Sequence, residues 1–179
     1  GCEAAVQPTE SKSPSYLQDE EGFARLLDDW GDRLLRLCTL YLKDVHLAED
    51  AVQETLLKAW RHADTFRGGG SEITWITRIA INVCKSYLRS PWKRRRAPAE
   101  ELDTLFADTG DPQVDDTLPR AIMALSRPYR EVIILYYYQE LKAREIADVL
   151  HVDLSTVTAR LSRARGKLRE ALKGWYYDE

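Results

Sequence analysis

KAREIADVL (142–150), HVD (151–153) and LSTVTARLSRARGKLREAL (154–172) decide the fold: they read as two helices joined by a turn of about three residues, the spacing of a helix-turn-helix. In the second helix Leu154, Val157, Leu161, Ala164, Leu168 and Leu172 recur at three- and four-residue steps and form one apolar stripe. At about 100° per residue, Thr156, Ala159 and Arg163 point directly away from that stripe, flanked by Ser155, Arg160 and Ser162. Small polar residues at the leading end, with arginines behind them, suit a helix that enters a major groove. The hydroxyls reach base edges and the arginines reach phosphates or guanine. A solvated basic helix is the competing reading. Arg165 projects toward the apolar side and is expected to brace the domain through an internal ion pair.

Upstream, Ser126 and Pro128 mark a helix start carrying Val132, Ile133, Leu135 and Tyr136, and helical content begins at Leu118 and Pro119 after Thr117. Before that, SPWKRRRAPAEELDTLFADTGDPQVDDT (90–117) holds three prolines, a basic cluster and an acidic run. A connection this long is too long for the inside of a compact domain, so it is a linker or a functional segment in its own right; as a flexible linker it predicts two units free to move relative to each other.

The first unit spans 21–89. Phe23, Leu26, Leu27, Trp30, Leu34, Leu37 and Tyr41 predict a helix with one buried stripe, and Asp44 an N-cap for a second helix reaching about Ala63. The glycines of FRGGGSE (66–72) each lose about 1 kcal/mol in a helix interior, so this segment is a loop. It lacks the GxxxxGK[ST] spacing and preceding strand of a nucleotide-binding loop. Ser71 caps a third helix running to about Arg89.

That third helix carries a second stripe of Trp75, Arg78, Asn82, Lys85 and Arg89 on its non-core face. An aromatic offers a stacking surface, cations neutralise backbone, and an amide bonds a base edge released from pairing, which is what single-stranded nucleic acid wants. Core packing is the alternative for Trp75. The outer face of the second helix gathers Glu49, Asp50, Gln53 and Glu54. Carboxylates beside a positive helix end account for part of this cluster. The Gln53 and Glu54 pair one turn further on suits a docking surface for another protein.

Composition agrees with this division. Of 179 residues 44% are hydrophobic and 31% charged, with 26 Lys+Arg against 29 Asp+Glu. The pI near 5.7 conceals two basic blocks, +4 over 21–98 and +3 over 119–179, separated by −7 over 99–118. Residues 1–20, polar with Pro8 and Pro14, read as a disordered leader, and 175–179 as a tail after the 118–174 unit. No apolar run reaches the roughly 20 residues of a membrane span, which predicts a cytoplasmic protein without membrane insertion. Cys2, Cys38 and Cys84 form no CxxC pair and no His stands beside a Cys, so neither a metal site nor a cofactor is expected; Cys38 and Cys84 read as small core residues.

AEDAVQETLLKAWRHADTFRGGGSEITWITRIAINVCKSYLR (48–89) closely resembles region 2 of bacterial extracytoplasmic-function (ECF) sigma factors of the sigma-70 family. LSRPYREVIILYYYQELKAREIADVLHVDLSTVTARLSRARGKLREAL (125–172) resembles their region 4. The resemblance implies an all-α chain of two small helical domains, a region 2 bundle and a region 4 helix-turn-helix. It implies a promoter-recognition subunit of RNA polymerase in which region 2 binds the clamp and opens the −10 element, while region 4 docks on the flap and reads the −35 element as duplex. Matched by position, Asp50, Gln53 and Glu54, with Glu49 and Leu56 beside them, fall on the clamp-binding helix. Asn82 falls on the position associated with a flipped −10 base, and loop 66–72, with Arg67 and Gly69, on the specificity loop. Ser155 to Arg163, including Thr158 and Ala159, falls on the −35 reading end. Ser155 stands where the family often has Gly, Thr158 where it often has a basic residue and Ala159 where it often has Ser. The resemblance further implies an anti-sigma partner and an acidic linker lying in the RNA exit channel. A simple helix-turn-helix repressor explains 119–172 but leaves the first unit without purpose, and no paired carboxylates, activated nucleophile or metal cluster suggests an enzyme.

Overall fold

The protein is described by a computed structural model over residues 19–66, 71–92 and 117–177. Helix α1 (Glu20–Leu42) starts where the leucine periodicity starts, and Asp19 caps it by accepting the Gly22 N–H at 2.6 Å. It stops at Lys43, which turns left-handed (φ 58°) and closes its N–H onto the Thr39 carbonyl at 2.8 Å. Asp44 then caps α2 (Val45–Arg61), accepting from the His46 and Leu47 N–H groups at 2.9 and 3.0 Å, as its sequence position predicts. A single 3-10 turn (Ala63–Thr65) leads toward the glycine segment, and Ser71 caps α3 (Glu72–Arg89) through the Thr74 N–H at 3.3 Å. The three helices bury Leu26, Leu34, Leu37, Leu56, Ile76 and Ile81 completely. Each contributes about 1.5–3 kcal/mol of transfer free energy. Leu27, expected on the buried stripe, is instead 44% exposed and lines a groove between α1 and α2.

The second unit contains α4 (Thr117–Ala124), α5 (Arg127–Ile133), α6 (Ala143–Leu150) and α7 (Leu154–Tyr177). Helix α5 widens into a π-helical turn (Ile134–Tyr138), closed by the Gln139 N–H onto the Ile134 carbonyl at 3.1 Å. The turn puts Ile134 and Leu135 inside and Tyr136 and Tyr137 outside, a break in the helix that sequence periodicity did not predict. His151, left-handed at φ 57°, ends α6 and opens the three-residue turn before α7. The helix-turn-helix stands as expected. The stripe is buried at Val157, Leu161, Ala164 and Leu168 but not at its ends: Leu154, the first residue of α7, is 39% exposed and Leu172 is half-buried. Helix α7 continues to Tyr177, beyond the expected end near 172.

The leader over 1–18, the loop residues Arg67 and Gly69, linker residues 93–116 and the last two residues lie outside the described residues.

The two units are docked, against the expectation that they move independently, and their apolar interiors form one continuous core. A polar junction explains how. Buried Arg130 donates to the Tyr41 carbonyl at 3.0 Å and the Leu125 carbonyl at 2.9 Å. The Tyr41 hydroxyl donates a short hydrogen bond to the buried carboxylate of Glu131. Arg33 and Gln139 exchange hydrogen bonds, each side chain donating to the other's carbonyl at 3.2 Å. At the far end of α3, Glu145 of α6 accepts from Thr74 at 2.6 Å. These polar pairs add to the shared core at the junction, where Arg130 Nε and Gln139 Oε1 stay buried without a hydrogen-bond partner.

Candidate functional site

Three surfaces survive as candidates once burial is known. The first is a groove of about 370 Å³ between α1 and α2. Glu49 and Gln53 of α2 form one wall; Leu27, Asp28, Asp32 and Leu35 of α1 form the other. Gly31 keeps its floor open, since a Cβ there would meet Leu27 Cδ1 at 3.1 Å. Asp50 is exposed beside Gln53. Glu54 is only half exposed: it pairs with Lys58 at 3.4 Å and acts on the Tyr87 hydroxyl, which burial first and Glu54 second push well above its usual range. Leu56 is fully buried and is a core residue, not a docking one, because it lies one helical turn beyond Val52 on the inward stripe of α2. The α1 wall was missed by sequence reasoning, which placed Leu27 on the buried stripe.

The second surface is the α3 ridge. Asn82 and Arg89 are exposed, while Trp75, Arg78 and Lys85 are half-buried. Trp75 packs on the core and against Phe66, ring centroids 5.2 Å apart and planes tilted 39°. It is therefore an aromatic pair with one accessible side, between its two sequence readings. Arg78 buries its Nε without a hydrogen-bond partner. Thr74, in the first turn of this ridge, is where α6 docks through Glu145. The Glu145 carboxyl is held below its usual 4.5, first by the Thr74 hydroxyl and then by the Lys142 N–H.

The third surface is the leading end of α7. Ser155, Thr158, Ala159, Ser162 and Arg163 are exposed, and Thr156 and Arg160 are half-buried on its flank. Thr158 turns its hydroxyl back onto the Ser155 carbonyl at 3.0 Å, so it is less free to read a ligand than its neighbours. Arg165 does brace the unit, but through tyrosines and not an ion pair. Its Nε donates to the Tyr137 hydroxyl at 2.7 Å and its guanidinium lies 5.1 Å from the Tyr136 ring centre. Exposed hydroxyls and arginines at the front of a helix presented by a three-residue turn fit direct base readout.

Comparison with known proteins places these surfaces in a family. Residues 26–95 match the model for sigma-70 region 2, and residues 115–168 match that for sigma-70 region 4. The chain is 31% identical over 170 residues to the ECF RNA polymerase sigma factor SigW of Bacillus subtilis, covering 87% of this chain and 91% of that protein. The chain is an ECF sigma factor of the sigma-70 family. The fold agrees with the sigma factor RpoE of Bartonella quintana, solved with the anti-sigma factor NepR, at 27% identity and a TM-score of 0.68 over 86% of this chain and 98% of that one. CnrH, solved with the cytosolic domain of CnrY, has the same fold at 22% identity and a TM-score of 0.66, over 90% of this chain and 95% of that one. As a sigma factor the protein is a DNA-binding transcription-initiation factor of RNA polymerase. Among the described residues no helix is long and apolar enough to cross a membrane, and no cluster of three or more His, Cys, Asp or Glu can hold a metal ion.

Proposed function

We propose that the α1–α2 groove binds the clamp of core RNA polymerase, that the α3 ridge captures the opened −10 strand, and that the leading end of α7 reads the −35 duplex. The observation that carries this reading is the separation of the three surfaces. An acidic groove and two amide- or hydroxyl-bearing ridges with arginines lie on different helices, so one chain can hold polymerase and DNA together. The protein contributes binding and positioning, and polymerase supplies the chemistry. It acts in the cytoplasm, where promoters and polymerase are.

The docked arrangement bears on regulation. The −10 and −35 elements lie on the order of 85 Å apart along B-form DNA at about 3.4 Å per base pair. The docked units are too close for that: α6, three residues before the reading helix α7, hydrogen-bonds the first turn of the α3 ridge at 2.6 Å. Function therefore requires undocking, and an anti-sigma protein that stabilises the docked form is the expected inhibitor.

A gel shift tests the reading. The chain alone should leave a promoter duplex unshifted at physiological salt, and the chain with core polymerase should form a heparin-resistant complex. An unaided, sequence-specific shift would instead identify a simple repressor.

A further inference from the structure

Cys38 of α1 and Cys84 of α3 meet in the interior of the first unit, 46 residues apart in sequence and belonging to none of the three surfaces. Both are fully buried, their Sγ atoms are 3.6 Å apart, and the Cys84 S–H donates toward the Cys38 sulfur. Disulfide sulfurs lie about 2.05 Å apart, so closure requires an approach of about 1.5 Å, shared between two side-chain rotations and a small drift of the helices. One turn after Cys38, Tyr41 holds the inter-unit junction, and Asn82 and Lys85 of the −10 ridge flank Cys84.

We propose that Cys38 and Cys84 are a redox-active dithiol that a peroxide oxidises to an intramolecular disulfide, stapling α1 to α3. In the first step peroxide transfers one oxygen to a cysteine sulfur; the O–O bond breaks, the sulfur becomes a sulfenic acid and water leaves. In the second, the other cysteine sulfur attacks the sulfenic sulfur. The S–S bond forms, the S–O bond breaks, and the hydroxyl departs as water with the second thiol's proton. The two thiols together lose two electrons and two protons, and the peroxide becomes two waters. The hydrogen bond to Cys38, and after it burial, hold the Cys84 thiol well above its usual range, so reactive thiolate is scarce. Oxidation is accordingly slow and selective for a small neutral oxidant that enters during local opening of α1 from α3. Under reducing conditions the pair rests as two thiols.

The test uses the full chain with Cys2→Ser, leaving only these two cysteines. It is treated with hydrogen peroxide, quenched with catalase, denatured and alkylated. The expected product is lighter by two hydrogens, resists alkylation and yields a linked Cys38–Cys84 peptide. Its melting temperature should rise on the order of 5–10 °C, reversibly with dithiothreitol, as expected for closing a loop of this length. Adding Cys38→Ala or Cys84→Ala should abolish the mass loss. Two alkylatable thiols after treatment, oxygen adducts without the linked peptide, or a linked chain that melts below the reduced one would overturn the proposal.

Discussion

Single residues divide into those proposed to meet partners and those that hold the frame. Asp50 and Gln53 are exposed and lack the structural contacts of Glu54, so Asp50→Ala with Gln53→Ala should shift stability by less than about 0.5 kcal/mol while weakening core-polymerase binding. Titration with labelled core polymerase checks this, and undiminished affinity removes the groove from the account. Arg130 is the opposite case. Burial lowers its pKa, and its guanidinium ties both units together by bonding the Tyr41 carbonyl. Arg130→Ala leaves the Tyr41 and Leu125 carbonyls without their buried donor and should cost about 2–4 kcal/mol, read as the shift in the urea midpoint. An exposed-site effect below about 1 kcal/mol would show that the junction does not form in solution. Leu56 shows how a residue adjacent in sequence to an interface can belong to the core: helical periodicity carries it inward within one turn.

At the scale of elements, the sequence was most legible where caps and periodicity coincide. Asp44 and Ser71 begin α2 and α3 where their side chains predict, and the three-residue turn sets α6 against α7. The π-turn was not legible, because VIILYYY offers a continuous apolar run with no period to break. The α1 wall of the groove was not legible either, since only the packing of α1 on α2 makes polar positions of one helix into the side of a cleft. The two DNA elements should fail differently. Asn82→Ala on α3 should spare closed complexes and impair opening, whereas Arg163→Ala on α7 should weaken −35 duplex binding and lower the salt slope by about one unit if it meets a phosphate. Permanganate footprinting and salt-dependent binding separate the two. Normal opening by Asn82→Ala on promoters with varied −10 sequences would return α3 to a solvated basic face.

For the whole molecule, linker composition divides the sequence into two units but could not reveal that they dock. The contacts that dock them, Tyr41 with Glu131 and Arg33 with Gln139, join residues about a hundred positions apart. The Glu145 contact adds a pH dependence. Its carboxyl titrates below the usual 4.5 in the docked form, so its contribution is fully present above 4.5 and is lost as pH falls through the lower docked value. Energy transfer between dyes on the two units should therefore drop as pH falls below about 4.5, and Glu145→Gln should flatten that profile. A mutant profile identical to the wild type would remove Glu145 from the junction.

The central claim, that one chain gives polymerase its promoter, is tested most directly by run-off transcription from a promoter library with purified core polymerase. The account predicts discrete starts behind a shared −35 and −10 pair only when the chain is added, abolished by Asp50→Ala with Gln53→Ala. Starts of equal pattern and yield without the chain would contradict it.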